Sequence, residues 1–259
     1  MTKADTTRAK TTLQAGVSKA DVDALQVLLS ELLNHPASTS LLIVRAAFLL
    51  GDPALMDLRH RFIAPNGTYA VQETQRFTAL ADHALTTGTQ VGLSSESDGP
   101  VARHTCQLLG TDATMETRVR FLMPDTIRAL AAPKLHPRMV GEGAQTLLSA
   151  SLTATVIARY TALAHDPNPL HSNPEVAQAA GFGDVIAPGM LLCALAEAGF
   201  RHISPGPKIQ DLRARFLSPA LVNAPVQVVV TAQAGAKSRV FVVSDAQDIH
   251  AIVDVFVGG

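Results

Sequence analysis

One short segment occurs twice in this chain of 259 residues, and its surroundings recur with it. Residues 57–65 read DLRHRFIAP and residues 211–219 read DLRARFLSP, so Asp, Leu, Arg, Arg, Phe and Pro repeat at an offset of 154 positions. Each copy follows an apolar stretch of helical character, Ser38–Leu50 before the first and Gly189–Ile203 before the second, and each precedes strand-rich sequence. Matched context on both sides makes duplication a better reading than coincidence. The length suits one large domain or two small ones, and the repeat selects two.

In the second unit, Pro188-Gly189 opens a helix on which Met190, Leu191, Ala194, Leu195 and Ala198 recur at helical spacing. Its many small residues let it lie close against a sheet. Strands are expected over Ile209–Leu217, Val226–Ala234, Arg239–Val243 and Ile249–Val257, runs rich in Val, Ile and Phe broken by Pro225, Gly235 and Asp245-Ala246. In the first unit strands are expected near 56–63, 68–76, 87–94, 101–109 and 116–123, with a turn at Pro65-Asn66-Gly67. A strand near 147–156 leads into the second unit. Residues 1–16 read as a polar, mobile tail, 17–123 as the N-terminal unit, 124–145 as a Pro- and Gly-bearing linker, and 146–259 as the C-terminal unit. A helix followed by an antiparallel sheet, twice over, implies an α+β fold. Joining the two sheets edge to edge removes one exposed strand edge from each.

Charge and composition exclude several functions. With 21 basic against 22 acidic residues, no Trp and 4% aromatics, the chain lacks both the basic face and the stacking platforms of a nucleic-acid binder. Cys106 and Cys193 form neither a metal clip nor a disulfide framework, which points to a reducing, cytoplasmic setting. No apolar run reaches the roughly 18 residues of a membrane span. No nucleophile elbow, P-loop or dinucleotide fingerprint is present, so serine hydrolases, nucleotide hydrolases and nicotinamide enzymes fall away.

The chemistry concentrates between Tyr160 and Met190. In Asp166-Pro167-Asn168-Pro169-Leu170-His171 each proline pushes the residue before it toward extended geometry. The result is a stiff loop that aims a carboxylate, an amide and an imidazole at one region, where together they can hold and activate a single water. Asn173 or Ser172 can cap a short helix with Pro174 in its first turn, and Gly181 can end it. Gly189 then stands at the start of the central helix, where its free N–H and the helix dipole favour a developing oxyanion.

Residues 160–190 resemble the MaoC-like, (R)-specific enoyl-CoA hydratases, also called hydratase 2, of the hotdog fold. Their motif runs roughly Tyr-x-x-Leu-Ser-Gly-Asp-x-Asn-Pro-Ile-His, then Gly-Phe, then Ile-x-His-Gly-Met. This chain matches it at Tyr160, Leu163, Asp166, Asn168, Pro169 and His171, and again at Gly181, Phe182, Ile186, Gly189 and Met190. With the repeat, the resemblance extends to double-hotdog members, whose second unit carries the catalytic motif. It implies a double hotdog in which each sheet wraps a central helix. It implies Asp166 and His171 as the catalytic pair, Asn168 as a water ligand and the Gly189 N–H as the oxyanion donor. Ile186, Pro188, Met190, Arg213 and Arg215 are then the substrate-binding candidates. The substrate is an acyl-CoA or acyl-carrier-protein thioester, no cofactor or metal is required, and the protein is a monomeric pseudo-dimer or a homodimer. Two positions depart from the pattern: Ala164-His165 replaces Ser-Gly before the Asp, and Pro188 stands where His is usual.

Plainer readings exist for each residue. Asp-Pro and Asn-Pro start turns, a lone histidine is commonly a satisfied core group, Gly189 can serve close packing, and the repeat arginines can be strand-edge charge. It is the family spacing of Asp166, Asn168, His171 and Gly189 together that favours catalysis. Shifting Asp166 and His171 back by 154 gives Thr12 and Val17, so a single site per chain is expected. The competing functions are a non-catalytic acyl-binding subunit or scaffold and, among enzymes, a 3-hydroxyacyl-carrier-protein dehydratase or a hydratase of branched or dicarboxylic acyl-CoA. A metal site is disfavoured, since the loop has neither the acidic density of a calcium site nor the His pair of a zinc site.

Overall fold

The computed structural model describes residues 5–14, 16–37, 52, 53, 55, 66–80, 83 and 85–258. Its centre is one antiparallel sheet of ten strands. In chain order these are β1 (Asp5–Thr12), β2 (Tyr69–Thr78), β3 (Gln90–Asp98), β4 (Val101–Leu108), β5 (Thr114–Leu122), β6 (Gln145–Leu148), β7 (Lys208–Phe216), β8 (Gln227–Val230), β9 (Lys237–Val243) and β10 (Ile249–Gly258). They lie side by side as β1-β3-β4-β5-β2-β7-β10-β9-β8-β6. The five N-terminal strands thus make one half and the five C-terminal strands the other. The halves meet where β2 pairs with β7, from Thr74 opposite Arg215 to Thr78 opposite Asp211. Two sheets joined at one seam form the double hotdog that the motif resemblance implies.

The helices are α1 (Lys19–Leu33), α2 (Pro124–Arg128), α3 (Pro137–Val140), α4 (Ala154–Leu163), α5 (Pro174–Ala179) and α6 (Gly189–Ile203), with a 3-10 turn over Pro169–His171. Every residue of α6 from Met190 to Arg201 is buried. The helix packs against β8, β9 and β10 and also touches α1. Its one acid in this stretch, Glu197, accepts a hydrogen bond from Arg201 Nε at 3.3 Å, so the buried charges come as a pair. Gly199 allows the closest approach to the sheet, because a Cβ there would stand 2.6 Å from Val228 Cγ1. Among the described residues no helix is long and apolar enough to cross a membrane.

The central helix runs Gly189–Ile203 as the sequence pattern predicts, and β7, β9 and β10 fall within a residue or two of expectation. Four expectations fail. The strand expected over Val226–Ala234 is the short β8, which ends at Val230. Residues 5–12, read as a mobile tail, form β1 and pair along their whole length with β3. The strand expected near 147–156 ends at Leu148, because the Thr153 side chain accepts from the Val156 N–H and caps α4 instead. Part of the segment read as linker is ordered by packing: Ile127 is buried, and Lys134 bridges to Asp248. The first copy of the repeat and the apolar stretch before it, together with the strand expected near 56–63, lie outside the described residues.

Gly199→Ala puts a methyl group into this close contact and is expected to cost about 1–3 kcal/mol, with a lower midpoint in urea as the readout.

Candidate active site

The site begins at a helix end. After α4, Asp166 N–H donates to Thr161 O over 2.9 Å and His165 N–H to Ala162 O over 3.3 Å. These paired bonds are the Schellman closure of a helix, which demands a left-handed residue between them. That residue is His165, at φ 48°, the position at which the resembled motif has glycine. Helix termination therefore aims Asp166, and this chain pays conformational strain to do so with an imidazole.

The loop then ties itself down. Asp166 Oδ1 accepts from the Asn168 N–H at 3.1 Å, and Asn168 Oδ1 accepts from the Leu170 N–H at 3.2 Å. Each side chain is thus oriented by local backbone, with one polar end left over. The leftover ends converge. Asp166 Oδ2 lies 3.7 Å from His171 Nε2, and Asn168 Nδ2 lies 3.5 Å from the same nitrogen. On the far side of the ring His171 Nδ1 donates to Ile186 O over 2.8 Å. With its proton held there, Nε2 presents a lone pair toward the carboxylate.

Burial sets the electrostatics. The His171 side chain is 8% exposed and that of Asp166 33%, so the pair is open on the carboxylate side. Desolvation is the largest influence on His171 and holds it below the ordinary imidazole pKa; the Asp166 charge and the Ile186 carbonyl pull upward without cancelling it. Tyr160, fully buried beneath the loop, is pushed well above the usual phenol range by burial and by its neighbours Asp166 and Cys193. Its hydroxyl has no hydrogen-bond partner. Burial also raises the Cys193 thiol, and Cys106 is pushed up to about 12, so neither is a nucleophile at neutral pH.

The segment beyond the loop carries the second component. Asn173 Oδ1 caps α5 through the N–H groups of Glu175 and Val176, as expected, and Gly181 follows the helix at φ 98°. Ala187 N–H donates to Ala220 O over 2.8 Å, which ties the chain to the loop after β7 just before Pro188 opens α6. Among the described residues no backbone carbonyl accepts the Gly189 N–H. A Cβ on Gly189 would stand 2.9 Å from Phe216 Cε1 and 3.1 Å from Gln72 Oε1, so a side chain there would displace whatever meets this helix end.

Asp166, Asn168, His171 and the Ile186 carbonyl are brought together, and Pro188, Gly189 and Met190 form the adjoining helix start. Arg213 and Arg215 are not part of this group. They point away from the buried face of β7 that carries Leu212 and Ala214. Arg213 lies 4.6 Å over the Phe256 ring and 3.7 Å from Asp211, while Arg215 is exposed. Sequence reading missed Phe216 and Gln72 as neighbours of Gly189 and Met190, since strand residues reach the helix only through the tertiary fold. Among the described residues no three His, Cys, Asp or Glu side chains are placed to share a metal ion.

Residues 137–251, a little under half of the chain, match the model of the MaoC like domain family. No curated protein matches the chain in sequence. Among solved structures, HtdX of Mycobacterium tuberculosis is similar at 19% identity and a TM-score of 0.63, over 96% of this chain and 99% of that one. A MaoC-like dehydratase from Phytophthora capsici is similar at 15% identity and a TM-score of 0.58, over 99% of this chain and 95% of that one. The peroxisomal multifunctional enzyme type 2 of Drosophila melanogaster matches at 12% identity and a TM-score of 0.61, with 98% of this chain laid on 48% of that one. At these identities the likeness is one of fold.

Three outcomes are expected. His165→Gly relieves the left-handed strain and raises stability by about 0.5–1 kcal/mol, seen as a higher melting temperature with activity retained. Because the folded His171 pKa lies below its ordinary value of 6.5, the folded state binds fewer protons than the unfolded chain just below that pH. Stability is therefore lost as pH falls through this window. Equally, the acid limb of kcat/KM belongs below pH 6.5, and histidine NMR titration should place the His171 midpoint there.

Proposed function

We propose that this protein adds water reversibly across the double bond of a trans-2-enoyl thioester to give the (R)-3-hydroxyacyl thioester. The observation that carries this reading is the carboxylate oxygen Oδ2 of Asp166 standing 3.7 Å from His171 Nε2, on a ring bonded to Ile186 three residues before a helix start whose first N–H meets no backbone carbonyl among the described residues. The match to the MaoC like domain supports hydration or dehydration of acyl thioesters as the reaction class.

In this mechanism one water sits against Asp166 Oδ2, Asn168 Nδ2 and His171 Nε2. As its oxygen attacks the β-carbon, the proton passes to Nε2, which is neutral and unprotonated at the working pH. Charge develops on the thioester oxygen, and the Gly189 N–H at the positive end of α6 stabilises it. The imidazolium, facing the Asp166 carboxylate, returns the proton to the α-carbon from the same side. One base thus serves both transfers, and water and product balance without another group. The stereochemistry rests on the motif resemblance. For the carrier, exposed Arg215, which has no ion pair among the described residues, is the cation offered to a phosphate, whereas Arg213 is engaged by Asp211 and Phe256.

The substrate is an acyl-CoA or acyl-carrier-protein thioester, and the joined halves allow a monomer to be complete. Asp166→Asn is expected to lower the rate of crotonyl-CoA hydration by roughly 10²–10⁴-fold with the fold intact, read from the loss of enoyl-thioester absorbance. Wild-type rates in that variant would remove Asp166 from the mechanism, and acyl-CoA binding without turnover in the native protein would replace this reading with a non-catalytic acyl-binding subunit.

A further inference from the structure

Residues three apart on a regular strand point to opposite faces of the sheet. Gln72 and Gln75 of β2 nevertheless meet, with Gln72 Nε2 donating to Gln75 Oε1 over 2.9 Å. The reason is a bulge: the register of β2 against β5 slips between Gln72 and Thr74. The inserted residue, Glu73, is held by Arg118 at 3.1 Å and by Arg120. Those two arginines fix the slip, and both amides come to lie on the side that carries α6.

From there the amides reach the start of the helix. Gln72 Oε1 lies 3.1 Å from the place a Gly189 Cβ would take, and Gln72 Nε2 lies 4.0 Å from Met190 Sδ. Thr117 Oγ1 donates to Gln75 Oε1 over 2.7 Å, so that one oxygen receives two donors. Gln75 is fully buried, yet its Nε2 has no partner among the described residues. Its cross-strand neighbour toward β10 is Ala214, too small to cover an amide. A buried N–H without an acceptor is costly and rare in folded proteins, and here it belongs to the amide bonded to Gln72, which itself stands beside the candidate oxyanion donor.

We propose that Gln75, braced by Thr117 and Gln72, reads a hydroxyl or carbonyl oxygen on the acyl chain a few carbons beyond the reacting double bond. The protein is then a hydratase of oxygenated enoyl thioesters rather than of plain hydrocarbon chains. This inference rests on the enoyl-thioester reading above. A plain alkyl chain leaves the amide unpaired, and a site built to pair with an oxygen rejects the analogue that lacks it far more strongly than an apolar pocket rejects an added hydroxyl.

The test compares trans-2-hexenoyl-CoA with its δ-hydroxy and δ-oxo analogues, using the full chain. Hydration rates are measured for the enoyl forms, and calorimetric affinities for the saturated counterparts. The oxygenated thioesters should be favoured by about tenfold or more in kcat/KM and in affinity, and Gln75→Leu should bring that ratio to about one or below. Equal or better use of the plain chain by the wild type overturns the inference. So does a ratio that Gln75→Leu leaves unmoved, or an equal loss on both thioesters, which would assign the amide to the carrier or to the fold. If Gln75→Leu does not fold, Gln75→Met and the wild-type ratio decide. Absence of crotonyl-CoA hydration in the wild type would sink the parent reading separately, and the affinity ratio of the saturated pair would still settle this one.

Discussion

The backbone pairing of β2 with β7 is the constraint on which the rest of the molecule depends. It fuses two five-stranded halves into one sheet, and it fixes where side chains from each half can meet. From one side β2 delivers Gln72 and Gln75; from the other β7 delivers Ala214 and, at its end, Phe216. The N-terminus of α6 lies against this junction. A shift of one residue in the pairing would turn every inward side chain outward, so the seam carries positional information as well as hydrogen bonds.

The second constraint is local. Asp166 is aimed by the way α4 ends, and His171 by a carbonyl fifteen residues further along the chain. Among the described residues no side chain of the opposite half bonds either group. The carboxylate and imidazole keep their spacing through short-range bonds, while the helix start with its unpaired N–H is set by long-range packing. The site joins a rigid loop to a buried helix, a division that suits precise geometry over a reach of few residues.

Much of this was legible beforehand, for physical reasons. α6 announces itself because apolar and small residues recur at helical spacing between a proline and a serine. The loop is legible because proline restricts the residues beside it, and Asn173 because capping needs only a short side chain in the right place. What stayed hidden depends on partners far away in sequence. β1 is polar and looks like a tail; only its pairing with β3 makes it a strand. The helical start of α4 was masked by a run that also suits a strand, and the Thr153 cap decided between them. The bulge at Glu73 has no local signature, since Arg118 and Arg120 that hold it belong to another strand. For the same reason simple alternation assigns Gln72 and Gln75 to opposite faces.

Gly181 has a further consequence. Its backbone passes so near Pro124 that a Cβ there would stand 2.3 Å from the Pro124 carbonyl oxygen. Close by, Ile127 is buried with Leu170 and Phe182, and Tyr69 and Leu122 pack on them. Side chains from β2, β5 and the segment after β5 therefore supply the floor under the loop that carries Asp166 and His171. Substitutions at Tyr69, Leu122 or Ile127 would be felt in the footing of that loop. The two halves must change in step, and cutting the chain between them would leave the loop without its support.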